Sequence, residues 1–196
     1  MTLYLQSTHL DLVAATLLHL DTELAGRDQL ELLLGVTVPK TWPPGQYDRD
    51  AIRSFRERLN AGGPAVVGWF GWYAICRRTA LQPSTLVGAG GFLGPPDESG
   101  SVELGFSVLP EYRGRGHATE MATTLVDHAL SQPGVKRVIA HANVSNRPSI
   151  AVLIRCGFAA VARGAKPGTL RFERDTTRRP PEPDDDAAAV APDDDE

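Results

Sequence analysis

The sequence predicts a single α/β domain built on a sheet of mixed strand direction. Three observations carry this prediction. Three segments with strand-like alternation follow one another over short links in the middle of the chain. A glycine-rich loop then leads from the last of them into an amphipathic helix. A further strand, a helix and a closing hairpin complete a domain that spans residues 1–176.

The first part of the chain predicts one short strand followed by helices. Residues 3–5 alternate into a strand, and residues 10–20 carry apolar side chains at helical spacing. Residues 27–34 extend the helical region until Gly35 stops it. Residues 48–59 predict another helix, with apolar side chains on one face.

The second part of the chain predicts a sheet that helices interrupt twice. Strand-like segments lie at residues 69–76, 85–93, 101–109, 135–142, 158–163 and 169–173. Helices are predicted at residues 117–130 and 146–156. The whole domain should therefore hold about seven strands, mostly antiparallel, and about four helices.

Charge is distributed unevenly between this domain and the end of the chain. The net charge is −4, yet residues 182–196 contain eight acidic residues and no basic one, while residues 1–181 contain 16 acidic and 20 basic residues. The Pro- and Asp-rich segment 177–196 lacks an apolar face and is predicted to be a disordered tail. It either keeps the protein in solution or shields a basic groove on the domain.

Composition also narrows the class of protein. No dense Lys/Arg cluster with interleaved aromatic residues is present, so a nucleic-acid partner is not expected. No apolar stretch reaches membrane-spanning length, and the N-terminus does not resemble a signal peptide, so we expect a cytoplasmic protein without a membrane partner. The two cysteines form no paired metal-ligand motif, and no metal is expected.

The most informative segment runs from residue 102 to residue 129. A strand ends at Pro110, an Arg-Gly-Arg-Gly loop follows, and an amphipathic helix begins. Such a loop exposes unpaired backbone N–H groups at the positive end of a helix dipole, which suits a diphosphate. Without context, a plain strand–helix connection is an equal alternative, because the third glycine of a dinucleotide-binding loop and the Gly-Lys of a P-loop are absent.

The wider context resembles one family. The loop Arg113-Gly114-Arg115-Gly116-His117-Ala118 resembles motif A of the GNAT superfamily of N-acetyltransferases, Gln/Arg-x-x-Gly-x-Gly/Ala. Residues 146–153, followed by Gly157-Phe158, resemble the motif B of that family. Residues 102–106 together with Asn146 and Ser149 are similar to the RimJ/RimL branch, the ribosomal-protein N-terminal acetyltransferases.

The resemblance implies a fold and a cosubstrate. The sheet would splay between its fourth and fifth strands, and acetyl-CoA would occupy the gap. The pyrophosphate would bind the backbone amides of Arg113, Gly114, Arg115, Gly116, His117 and Ala118. The pantetheine arm would pair with the backbone of Phe106, Ser107 and Val108, and would accept a hydrogen bond from Asn146.

The resemblance also suggests catalytic residues, each with an alternative. An amine must lose a proton before it attacks a thioester, and Glu103 is the candidate general base. Its alternative role is that of an edge or salt-bridged carboxylate. Many family members carry a tyrosine acid where this chain has Leu153, so Ser149 is the candidate donor to the leaving thiolate, unless its hydroxyl bonds locally. Trp42 either contacts the acceptor or anchors its loop.

The resulting hypothesis is an acetyl-CoA-dependent N-acetyltransferase. The acetyl group would move directly to a primary amine, either a protein N-terminus or a small molecule, because no activated Ser or Cys dyad is visible. The alternative is a non-catalytic acyl-CoA sensor or regulatory module, which Leu153 favours. Nucleotide binding by the glycine loop is a third and weaker interpretation. A homodimer is compatible with all three.

Overall fold

An open sheet of eight strands organises the part of the chain that the structure describes. The computed structural model describes residues 3–164 and 166–177. The strands are β1 (Tyr4–Gln6), β2 (Leu10–Ala14), β3 (Gly71–Cys76), β4 (Thr85–Phe92), β5 (Ser101–Val108), β6 (Arg137–Asn143), β7 (Ala159–Arg163) and β8 (Thr169–Asp175). They lie in the order β1-β2-β3-β4-β5-β6-β8-β7. Every neighbouring pair is antiparallel except β5 and β6, which run parallel.

Within the described residues five α-helices accompany the sheet, and capping signals in the sequence fix the starts of three. The helices are α1 (Leu17–Ala25), α2 (Arg27–Leu34), α3 (Arg49–Gly62), α4 (His117–Leu130) and α5 (Arg147–Arg155). The side chains of Thr16, Asp48 and Asn146 accept hydrogen bonds from the first turns of α1, α3 and α5. These bonds satisfy backbone N–H groups that lack a partner inside the helix.

The sheet is buried on both faces at its centre. Strand β3 demonstrates this, because Trp72 and Ala74 point into one hydrophobic cluster while Tyr73 and Ile75 point into another. Helix α4 supplies Met121 and other side chains to the first cluster. Helices α1 to α3 cover the opposite face and build the second cluster.

One predicted element is wrong in the structure. Residues 10–14 form strand β2 rather than the beginning of a helix, and α1 starts only at Leu17. Leu10, Leu12 and Ala14 are buried at a spacing of two, and β2 pairs with both β1 and β3. The apolar spacing of this segment fits a helix and a strand alike, and pairing with two neighbours decides for the strand. With β2, the described sheet has eight strands, close to the prediction of about seven.

The predicted splay is confirmed. Strands β5 and β6 pair over only three residues each, from Ser101 to Glu103 and from Arg137 to Ile139. Beyond that point β5 continues along β4, whereas β6 continues along β8. These two strands are the fourth and fifth of the seven predicted from the sequence, so the mostly antiparallel α/β fold implied by the resemblance is present.

A buried carboxylate joins α1 to the loop before α3. Glu23 accepts hydrogen bonds from Trp42 Nε1 at 2.7 Å, from the Tyr47 hydroxyl at 2.9 Å and from the Tyr73 hydroxyl at 2.7 Å. Burial raises the pKa of Glu23 above its ordinary value, and the three donors oppose that rise. This network fixes the irregular segment that carries Trp42 and Tyr47 against the helical layer.

Two further expectations concern the chain as a whole. The predicted tail begins at residue 177, and residues 178–196 lie outside the described residues, so its disorder stays a prediction. Within residues 3–164 and 166–177, none of the helices has the length and apolar character required to cross a bilayer.

Replacing Tyr73 by Phe removes one of the three donors to Glu23. We expect the free energy of unfolding to fall by about 1–3 kcal/mol at pH 7.5, because a buried acceptor loses a partner. The loss should be smaller near pH 4.5. Removing a donor raises the folded pKa of Glu23 further, and a raised carboxyl pKa reduces stability only as the pH climbs through it.

Urea unfolding at both pH values measures this effect. Tyr4→Phe is the control, because Tyr4 is exposed and its loss should change stability by no more than about 0.5 kcal/mol. An equal loss at both pH values for Tyr73→Phe would contradict an ionisable Glu23 at the centre of the network.

Candidate functional site

The separation of β5 and β6 opens a cleft of about 620 Å³, which we call the main cleft. Its walls come from β5, from the start of α4, from β6 and from the first turns of α5. The residues of these walls include Leu104, Gly105, Phe106, Ser107, Val108, Arg113, Gly114, Gly116, His117, Ala118, Thr119, His141, Asn146, Ser149 and Leu153. Most of the residues predicted to bind the cosubstrate therefore surround one cavity.

Strand β5 presents unpaired backbone groups to the main cleft. Leu109 N donates to Val87 O and Leu93 N donates to Glu103 O, so the odd-numbered residues of this stretch bond to β4. In an antiparallel pair the alternate residues direct their N–H and C=O groups to the other side. The backbone groups of Phe106 and the N–H group of Val108 consequently face the cleft without a partner among the described residues, whereas the backbone groups of Ser107 face β4.

The glycine loop delivers the start of α4 to the same cleft. Gly114 and Gly116 have φ values of +73° and +81°, a left-handed conformation that favours glycine. The first intrahelical bond of α4 joins Glu120 N to Gly116 O at 3.0 Å, so the N–H groups before it have no partner within the helix. They lie at the positive end of a helix of 14 residues, a suitable environment for an anion.

The side chains around this loop have distinct positions. Arg113 Nε donates to Val108 O at 3.0 Å and so ties the loop to the end of β5. Arg115 does not line the main cleft; its guanidinium lies 5.5 Å from the centre of the Tyr112 ring. His117 is buried, and burial lowers its pKa, so the ring next to the helix start is neutral at pH 7. Thr119 lines the cleft and was not predicted from the sequence.

A carboxylate anchors the start of α4 to the edge hairpin. Glu120 accepts hydrogen bonds from Ser7 Oγ at 2.7 Å, from His9 N at 2.5 Å and from Leu10 N at 3.1 Å. Burial alone would raise the pKa of Glu120, but these hydrogen bonds outweigh burial and hold the pKa below its ordinary value. These contacts from residues at the β1–β2 connection therefore fix the position of the start of α4.

Asn146 and Ser149 occupy the wall opposite the glycine loop. Asn146 Oδ1 accepts a hydrogen bond from Ser149 N at 3.2 Å, as expected of an N-cap, and its amide nitrogen is left to donate elsewhere. The Ser149 hydroxyl has no hydrogen bond to any residue in the described part of the chain. The local bond that was the alternative for this hydroxyl is not formed. Leu153, also in α5, is buried and lines the cleft.

Glu103 and His141 form a pair where the two strands part. Glu103 belongs to the last pair of the parallel ladder, and its Oε1 lies 2.9 Å from His141 Nδ1. The two side chains are 33% and 29% exposed, respectively. His141 lines the main cleft and Glu103 does not. A neutral histidine that donates from Nδ1 to a carboxylate keeps Nε2 free to accept a proton.

Sequence reasoning missed His141. Its position follows from the alternation of β6, which places His141 on the same face of the sheet as Ile139. The partner could be found only from the parallel register that sets Glu103 opposite Ile139. The alternative role of Glu103 as a paired carboxylate is thus present in the structure, with a histidine as its partner.

A second cavity of about 310 Å³ adjoins the main cleft, and we call it the side cavity. It lies between α3 and the strands β4 and β5. The two cavities share Gln46, Gly105, Phe106 and Ser107. Its other walls are Tyr47, Ala51, Ser54, Phe55, Arg58, Ala89, Gly90, Gly91 and Leu93.

Trp42 lines neither cavity. Its ring is buried in the second hydrophobic cluster, and its indole N–H donates to Glu23. The edge of the Trp42 ring meets the Tyr47 ring, with the two ring centres 5.8 Å apart. This placement matches the loop-anchor alternative and gives no support to the acceptor contact. In the described ranges, no three His, Cys, Asp or Glu side chains come together as a metal site would require.

Comparisons with known proteins agree with this geometry. A curated relative from Bacillus subtilis (strain 168), described as the uncharacterized N-acetyltransferase YjdG, is 34% identical over 127 residues, which are 64% of this chain and 71% of that protein. A solved structure of RimL, described as an alpha-N-protein acetyltransferase, superposes with a TM-score of 0.60 at 18% identity, covering 89% of this chain and 95% of RimL. Another RimL structure is a complex with coenzyme A.

A solved acetyltransferase of the GNAT family from Bacillus anthracis superposes with a TM-score of 0.57 at 16% identity, covering 88% of this chain and 98% of that structure. The family model described as the acetyltransferase (GNAT) domain matches residues 23–159, which is more than half of the chain. The chain therefore belongs to the GNAT family, and it is an acetyl-CoA-dependent acyltransferase.

Proposed function

We propose that the protein transfers an acetyl group from acetyl-CoA directly to the primary amine of a small molecule or of a protein N-terminus. The observation that carries this proposal is the main cleft, whose walls include both the start of α4 and His141, the partner of Glu103. We call the unpaired backbone N–H groups at the start of α4 the anion cradle. The thioester of acetyl-CoA supplies an activated acetyl group. The residues of the chain bind the carrier, accept the proton of the amine and assist the departure of sulfur.

The residues present fit coenzyme A. The unpaired N–H groups at the start of α4 suit its pyrophosphate, and the loop of Gly114 and Gly116 lets the backbone approach it closely. The cleft-facing backbone of Phe106 and the N–H group of Val108 suit the amides of a pantetheine arm, which would extend β5 as a strand does. Asn146 has amide N–H groups to donate to the same arm.

We assign the role of base to the Glu103–His141 pair. His141 lines the cleft, so its Nε2 accepts the proton of the attacking amine. Glu103 holds His141 in the tautomer with the proton on Nδ1, and it stabilises the imidazolium that forms. In this arrangement His141 accepts the proton, and Glu103 contributes to the base by orienting His141 rather than by direct contact with the amine.

The Ser149 hydroxyl is the donor available to the leaving thiolate. Ser149 lines the cleft, and its hydroxyl forms no hydrogen bond with the helix that carries it.

The protonation state of the two cysteines favours direct transfer. Burial raises the pKa of Cys156 and of Cys76, so both are protonated at neutral pH. A thiol in that state is a poor nucleophile, which argues against an acyl-enzyme.

Glu103→Gln and His141→Gln should each lower kcat for thiol release by about a hundredfold or more, because each removes part of one base. The double variant should fall no further, since the two residues act as a unit. The affinity for coenzyme A, measured by calorimetry, should change less than twofold. Glu98→Gln, an exposed carboxylate in the turn before β5, is the control.

The pattern of losses separates the alternatives. A loss in Glu103→Gln with full activity in His141→Gln would assign the base to Glu103 alone. Unchanged turnover in both would remove the pair from the mechanism. If the unaltered protein binds acetyl-CoA tightly yet releases no thiol with peptides, amino acids, polyamines or amino sugars, a sensor without catalysis becomes the better interpretation.

Gly116→Ala should weaken the binding of coenzyme A by about tenfold or more, because a methyl group would stand in the anion cradle. Gly134→Ala is the matched control. Both glycines have positive φ, +81° and +85°, and neither has a neighbour within 4 Å of an added Cβ. The two variants should therefore lose similar stability, about 1–2 kcal/mol, while only Gly116→Ala changes the Kd. An unchanged Kd would show that the pyrophosphate binds elsewhere.

Ser149→Ala should lower kcat by about tenfold with little change in the Kd for coenzyme A, since the hydroxyl acts on the leaving sulfur. Ser145→Ala is the control, because the Ser145 hydroxyl bonds to Asn143 Oδ1 at 2.7 Å and does not line the main cleft. Initial rates of thiol release at saturating acetyl-CoA measure the effect. Equal rates for Ser149→Ala and the unaltered protein would exclude Ser149 as the donor.

A further inference from the structure

The side cavity has the position of an acceptor site. It meets the main cleft at Phe106 and Ser107, close to the place where the strands part. A volume of about 310 Å³ is at the small end of ligand cavities, so it suits a group of amino-acid size. The aromatic rings of Tyr47 and Phe55, from the face of the sheet that α3 covers, give it aromatic walls.

The electrostatic character of this cavity is unusual for a protein that binds amines. None of the described residues that line it is an Asp or a Glu, and its single charged side chain is Arg58. The Tyr47 hydroxyl turns away to donate to Glu23, so it leaves the aromatic ring as the wall. The remaining polar side chains among the described lining residues, those of Gln46, Ser54 and Ser107, are neutral.

Arg58 is an exposed residue whose guanidinium is held at the side cavity by a backbone carbonyl. Its Nη1 donates to Leu93 O at 2.7 Å, which fixes the guanidinium against the end of β4. Within residues 3–164 and 166–177 no carboxylate pairs with it, whereas Arg53 and Arg56 of the same helix pair with Asp50 and Asp21. Arg58 retains N–H groups that match the two oxygens of a carboxylate.

We propose that the acceptor is a compact primary amine with an apolar body and a carboxylate, and that Arg58 binds this carboxylate. This inference rests on the proposed transfer to an amine. The amine would reach the main cleft past Phe106 and Ser107, and the apolar body would pack against Phe55 and Tyr47. A polyamine is disfavoured, because its second cation would face Arg58 in a cavity without a carboxylate.

The test compares two acceptors that differ only in the carboxylate. Thiol release is measured with L-phenylalanine and L-leucine and with their amides, using the unaltered protein, Arg58→Gln and Arg53→Gln. Arg53 is the matched control on the same helix outside the cavity. We expect Arg58→Gln to lower kcat/KM for the carboxylates by about tenfold to a hundredfold, the size of a lost charge-assisted hydrogen bond. The amides should change less than threefold.

A second readout does not require catalysis. Calorimetric titration of L-phenylalanine into the protein saturated with coenzyme A should detect binding that Arg58→Gln weakens and Arg53→Gln preserves. If this binding occurs without thiol release, the acceptor class stands and the proposed transfer fails. A different result is thiol release with the same ratio of kcat/KM for the amino acids to kcat/KM for their amides in Arg58→Gln as in the unaltered protein. That result would overturn the proposed acceptor class.

Two further arms identify the source of the acceptor. Spermidine should be a poor acceptor, and rapid thiol release with it would overturn the proposal. Short peptides with amidated C-termini and the same first residues lack the carboxylate. Turnover confined to these peptides, with no turnover or binding of the free amino acids, would also overturn it and would indicate a protein N-terminus instead.

Discussion

The parallel pairing of β5 with β6 stops after three residue pairs, and the functional geometry depends on that termination. Continued pairing would satisfy the backbone of Phe106 and the N–H group of Val108 within the sheet. Because β6 instead follows β8, a row of donors and acceptors is left facing a cavity. The same divergence puts Glu103 at the last paired position and lets His141 reach the cleft. Carrier binding and proton transfer thus share one structural cause.

The position of the anion cradle is set by contacts on both sides of it. Arg113 binds the end of β5, and Glu120 binds the hairpin between β1 and β2. Helix α4 also packs its apolar stripe, including Met121 and Leu125, against the sheet. These contacts hold the N–H groups in place before the ligand arrives. Binding then costs less conformational entropy, because the site is already ordered.

The motifs that carry local conformation could be predicted from the sequence. The glycine loop, the start of α4 at His117 and the cap at Asn146 all depend on neighbouring residues, and the structure has them where the sequence indicated. Strand β2 could not be predicted in this way, because its apolar spacing fits two periods and only pairing with β1 and β3 decides. The Glu103–His141 pair requires a register between strands 38 residues apart in sequence. The place of Trp42 depends on Glu23, a carboxylate whose burial no local pattern announces.

The alternation of backbone direction along β5 has a consequence for how the protein can change over time. Residues from the turn between β4 and β5 can be gained or lost without altering which backbone groups face the cleft, provided that the pairing of β5 with β4 is kept. A single residue inserted inside β5 is different, because it would exchange the odd and even positions. The backbone of Ser107 would then face the carrier, and the side chains of Leu104 and Phe106 would leave their side of the sheet. Insertions and deletions should accordingly be tolerated in the turn between β4 and β5, and they should be selected against within β5.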